Sequence, residues 1–74
     1  MATYDPGFYA FAINFNDPNG YEESFTLASN VTVDRPMTDA DIAQVILDEA
    51  QREYPGAAVL RVPRPNYKLS LKRR

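Results

Sequence analysis

From Phe8 to Phe15 the chain reads F-Y-A-F-A-I-N-F, and Tyr9, Phe11, Ile13 and Phe15 share one parity. Successive side chains of a strand point to opposite faces, so an apolar set recurring every second residue predicts a β-strand with one face in a core. Asp17-Pro18-Asn19-Gly20 follows. Proline presets φ for the second position of a turn, Asp and Asn tolerate tight local geometry, and glycine can adopt positive φ. Tyr21, Glu23, Phe25 and Leu27 then resume the alternation. Phe8–Phe15 and Tyr21–Leu27 are therefore expected to form a hairpin, the second strand continuing or restarting after Ser29-Asn30 through Val31 and Val33.

Asp34-Arg35-Pro36 breaks that pattern, and the next residues carry several helix-start signals together. Thr38 suits the N-cap, with Asp41 at the third helical position completing a shortened capping box. Asp39 and Asp41 both favour the positive end of the helix dipole. Met37 and Ile42 occupy the two positions of a hydrophobic staple. Ile42, Val45, Ile46, Ala50 and Tyr54 then fall on one broad apolar face, widened by Ala43 and Leu47. Tyr54-Pro55-Gly56 ends the helix, because the residue before a proline is pushed out of helical geometry. Ala57–Val62, closed by Pro63, is expected as a short third strand. Tyr67, Leu69 and Leu71, alternating with Lys68, Ser70 and Lys72, suggest a further one. The order is β-β-α-β-(β). This is an α+β fold, an antiparallel sheet of three to four strands with one helix packed on one face.

Composition changes that picture chiefly by exclusion. Seventy-four residues make one domain, with a basic C-terminal strand or tail at about 64–74. A domain this small is marginally stable unless disulfides, a metal or a partner supplement its core. Cysteine and histidine are both absent, which removes disulfides, thiol chemistry, and the commonest metal ligand and general base. Association is the supplement left open. No apolar run is long enough to span a bilayer, and Met1–Pro6 lacks the basic start and apolar stretch of a secretory signal, so cytoplasmic residence is the expectation.

Catalytic chemistry finds little footing. The three glycines stand apart at Gly7, Gly20 and Gly56 and form no phosphate-binding loop. Ser24, Ser29 and Ser70 have no histidine to activate them. Glu22 and Glu23 are neighbours in a strand and point to opposite faces. Asp34, Asp39 and Asp41 could hold a hard cation, but capping and the helix dipole already account for the two helical aspartates. The reading is of a protein that is not an enzyme, with no catalytic, cofactor or metal site.

Two features point to binding. From Phe8 to Ile13 the chain is apolar on both parities, whereas a strand with one face in water alternates cleanly. One helix cannot cover both sides of a sheet. Phe8, Ala10 and Ala12 are therefore expected on a second face, or at a strand edge, that meets another protein chain, self or foreign. That makes the protein a non-enzymatic protein-binding module, an inhibitor, adaptor or small assembly subunit, with homo-oligomerisation one form of the contact. The second feature is charge. All ten carboxylates lie between Asp5 and Glu53 against only Arg35 and Arg52, a net of −8. Arg61, Arg64, Lys68, Lys72, Arg73 and Arg74 follow with no acid, a net of +6. With Tyr67 available to stack on a base, this segment supports the alternative of a nucleic-acid-binding accessory protein. The bland counterpart is that the basic strand lies against the acidic remainder of its own chain.

In size and element order the chain is similar to many small phage- and mobile-element-encoded proteins, including inhibitors of bacterial defence systems. The likeness is one of layout and rests on no motif.

Overall fold

The computed structural model of the protein describes residues 3–20 and 23–74. The expected strand start at Tyr21 and the side chain of Glu22 lie outside the described residues. Strand β1 (Gly7–Asn16) pairs antiparallel with β2 (Ser24–Val33), helix α1 spans Asp39–Glu53, a short 3-10 helix spans Ala58–Arg61, and β3 (Asn66–Arg73) closes the chain. The sheet order is β2-β1-β3, all antiparallel, so the aromatic first strand is the central one.

The turn forms as its residues require. Gly20 donates its N–H to the Asp17 carbonyl (3.1 Å), the Asp17 carboxylate accepts from the Asn19 N–H (2.8 Å), and Gly20 holds φ at +75°. Strand β2 runs through Ser29-Asn30 without interruption to Val33. Thr38 caps α1: its hydroxyl accepts from the Asp41 N–H (3.2 Å), and the Asp41 carboxylate accepts from the Thr38 N–H (3.3 Å). Met37 and Ile42, the staple pair, are both buried. The N-terminal arm is tied to this helix start. Tyr4 and Met37 exchange backbone hydrogen bonds, and a hydrogen bond to Asp39, reinforced by burial and by that carboxylate's charge, holds the Tyr4 phenol above its ordinary range.

Tyr9, Phe11, Ile13 and Phe15 form the floor of the core, with α1 packed above through Ile42, Ala43, Ile46, Leu47 and Ala50. Two expectations fail here, for related reasons. Ala57–Val62 is not a strand but the 3-10 turn, in which the adjacent residues Val59 and Leu60 are both buried. A strand would have sent one of them outward, and the chain needs a compact turn to get from the helix end to the sheet between Gly56 and Pro63. The buried stripe of α1 is also rotated from the expected one. Ala43 and Leu47 lie inside, whereas Val45 is 40 % exposed and Tyr54, the C-cap residue, is 43 % exposed. The sheet therefore has three strands, and its helix overhangs one side.

Candidate functional site

Residues paired across an antiparallel ladder share a face, so the register assigns the face away from the helix position by position. Phe8, Ala10, Ala12, Asn14 and Asn16 come from β1, opposite Thr32, Asn30, Ala28, Thr26 and Ser24 of β2. Strand β3 adds Lys72, Ser70, Lys68 and Asn66 opposite Ala10, Ala12, Asn14 and Asn16. Arg74 continues it, donating its backbone N–H to the Phe8 carbonyl (3.0 Å). None of these positions is acidic, and three are cationic.

No element of the described chain covers this face. Phe8 is 48 % exposed, Ala12 is exposed and Ala10 is half-buried. The Arg74 side chain reaches across the central strand, its Nε–H donating to the side-chain oxygen of Asn30 (2.8 Å), the residue paired with Ala10. Amide and hydroxyl groups tie the other end of the face together: Asn16 donates to Asn14 (2.6 Å), and Asn14 donates to Thr26 (2.7 Å). Between them a shallow hollow of about 270 Å³ sits over Ala12, bounded by Asn14, Thr26, Lys68 and Ser70. The floor is flat because Ala10, Ala12, Ala28 and Ser70 are small.

The basic cluster of the sequence is dispersed. Only Lys68, Lys72 and Arg74 share this face. Arg61 ends the 3-10 helix and donates to the Pro55 carbonyl. Arg64 lies in the link before β3, beside a cleft lined by Phe15, Leu47 and Tyr67. Tyr67 has the opposite parity from the lysines and packs its ring 6.5 Å from that of Phe15. Arg73 also turns to the helix side, where its guanidinium lies 5.8 Å from the Tyr9 ring centre and donates to the Pro6 carbonyl (3.3 Å). Tyr67 is thus not placed to stack on a ligand held by Lys68 and Lys72.

The acidic residues do not neutralise this face either. Asp39, Asp41, Asp48, Glu49 and Glu53 belong to α1, and among the described residues one ion pair forms, Asp34 with Arg35 at 3.9 Å. Lys68, Lys72 and Arg74 thus stand on the open face without an acidic partner among the described residues, while α1 carries five acids against Arg52. No three acidic side chains among the described residues converge as a metal site would require. No helix of the described residues is long and apolar enough to cross a membrane.

Strand edges matter as much as faces. With β1 in the middle, both its edges are used, so Phe8, Ala10 and Ala12 offer a face and not an edge. The Arg74–Phe8 bond also sets the ladder phase. Even-numbered residues of β1 bond to β3 and odd-numbered ones to β2, so the backbone groups of Ser24, Thr26, Ala28, Asn30 and Thr32 point away from the sheet at the β2 edge.

These features define a small α+β protein with a single antiparallel layer, one side roofed by a helix and the other open and, among the described residues, free of acids. No protein-family model, curated protein or solved structure matches the chain.

Proposed function

We propose that this protein is a non-enzymatic binding module whose working surface is the open sheet face, and that its ligand is a single-stranded nucleic acid. The observation that carries the reading is the register: Lys68, Lys72 and Arg74 share one uncovered face with amides, hydroxyls and an exposed Phe8, and with no carboxylate among the described residues. Alternate residues of a strand are about 6.8 Å apart, close to the separation of successive phosphates on an extended single strand. Lys68, Ser70, Lys72 and Arg74 thus offer evenly spaced donors along β3 for a phosphate backbone. Bases turned inward from that backbone would cross the small floor of Ala10 and Ala12. Phe8 supplies a stacking surface, and Asn14, Asn16, Asn30 and Thr26 supply donors and acceptors for base edges.

The docking of another protein on Phe8, Ala10 and Ala12 draws less support from the same face. Protein interfaces are enriched in aromatic residues, methionine and arginine and depleted in lysine, serine and alanine, and Phe8 stands here as the lone large apolar group. An isologous dimer through the face would also set lysines against lysines with no acid between them.

Fluorescence anisotropy with a labelled single strand of about 12 nucleotides tests the proposal. Three phosphate contacts predict a log–log salt slope of about −2, so affinity should fall roughly twentyfold between about 50 and 200 mM salt. Absence of binding at the lower salt, or binding indifferent to salt, would overturn it.

A further inference from the structure

A second surface has two unusual properties that meet at one place. The β2 edge is ten residues of S-F-T-L-A-S-N-V-T-V with no charge, proline or glycine. Natural edge strands are blunted by lysines, prolines or bulges because their unpaired backbone invites another strand, and β3 on the opposite edge carries Lys68, Lys72 and Arg73. Strand β2 has no such guard. Above it, the two exposed apolar side chains of α1 and its cap, Val45 and Tyr54, overhang the same side. They line a groove of about 260 Å³ with Leu27 and Val31 of β2 and with Glu49 and Glu53 of α1, and the Tyr54 ring lies 5.1 Å from that of Phe25.

We infer that the β2 edge pairs antiparallel with the β2 edge of a second copy of this chain, joining two sheets into one of six strands. The occupant is a second copy because the strand is complementary to itself. The outward-pointing backbone groups belong to Ser24, Thr26, Ala28, Asn30 and Thr32, which are symmetric about Ala28. A two-fold axis there matches Ala28 with Ala28, Thr26 with Asn30 and Ser24 with Thr32, so all five residues exchange both of their hydrogen bonds. Shifting the register by two residues in either direction leaves outward groups unpaired. The same two-fold sets Phe25 opposite Val31. Tyr54 lies beside Phe25, and Val45 lines the groove with Val31, so the overhanging tyrosine of one copy meets the overhanging valine of the other. No charged residue of β2 enters the strand pairing, whereas Glu49 and Glu53 of α1 line the same groove and approach their own copies, so the dimer should tighten as salt is raised.

This pairing keeps the open faces of both copies on one side and the helices on the other. It stands apart from the ligand reading, because it is measured without nucleic acid. Light scattering behind size exclusion at about 200 µM should give twice the 8.4 kDa chain mass. Ala28→Pro removes one outward N–H at the two-fold, a position where an edge strand tolerates proline, and Val45→Lys places a charge at the groove. Both variants should elute as monomers with unchanged circular dichroism. A wild-type monomer at that concentration, a species larger than a dimer, or dimers surviving in a folded Val45→Lys variant would each overturn the inference.

Discussion

Replacing Lys68 and Lys72 together by glutamate is expected to weaken single-strand binding at least about a hundredfold at 50 mM salt while leaving the fold intact. Both side chains are exposed on β3 and neither makes an ion pair among the described residues, so their loss should change stability by no more than about 0.5 kcal/mol. The effect on binding is large because the substitution does more than delete two phosphate contacts. It places two carboxylates on a face that has none among the described residues, beside Arg74. The residual salt slope should shrink toward that of one contact, about −0.7. Lys→Glu changes of the same number on the helix side have no counterpart, since α1 carries no lysine. Equal affinity for wild type and the double variant, with melting temperatures unchanged, would remove the face from the account of function.

Phe15→Ala and Phe8→Ala should differ in stability by more than any other pair of like substitutions on one strand. Phe15 is 1 % exposed in the floor of the core, whereas Phe8 lies on the open face at 48 %. Truncating a buried phenylalanine costs about 3–5 kcal/mol. A domain of this length has a total stability of only about 4–11 kcal/mol. Phe15→Ala is therefore expected to lower the melting temperature by roughly 15–30 °C or to leave the chain unfolded at 25 °C. Phe8→Ala should shift it by only a few degrees, yet it should weaken nucleic-acid binding by the stacking contribution, about 1–3 kcal/mol. Thermal melts followed by circular dichroism decide this. Comparable losses in both variants would mean that Phe8 is packed and the sheet is not open on that side.

What could be read before the fold was known follows a physical line. Local signals were legible: the Asp17–Gly20 turn, the Thr38–Asp41 capping box and the Tyr9–Phe15 parity are decided within a few residues of chain. The openness of the second face was legible too, because it needs only the count of one helix against two sides of a sheet. The register was not. Whether Lys68 sits beside Asn14 or beside Ala12 depends on the offset between the two strands, which no single strand specifies. Parity alone could have separated Arg73 from Arg74 and Tyr67 from Lys68, whereas the removal of Arg61 and Arg64 from the face depended on the 3-10 turn. That turn was missed because an apolar run as short as Ala57–Val62 fits a strand and a tight helix equally well.

The rotation of the helix stripe has the same character. Val45 and Tyr54 are as apolar as their buried neighbours, and nothing in the 3.6-residue period distinguishes a core position from one that overhangs an edge. Their exposure becomes interpretable only with β2 known to be the unguarded edge beneath them. The expected partner-facing residues, Phe8, Ala10 and Ala12, and the surface now assigned to a second copy thus lie on different strands and look in different directions.

Side-chain amides provide a built-in reporter for where a ligand sits. Asn14, Asn16, Asn30 and Asn66 all lie on the open face, while Gln44 and Gln51 belong to the helix, where they donate to Asp48 and to the Leu60 carbonyl. Titrating an isotope-labelled sample with a single-stranded oligonucleotide and following these signals by two-dimensional NMR separates the two sides of the molecule in one experiment. The four asparagine signals should move in a salt-dependent manner, and the two glutamine signals should stay in place. Shifts confined to the glutamines, or spread evenly over both sets, would contradict the assignment of the open sheet as the binding surface.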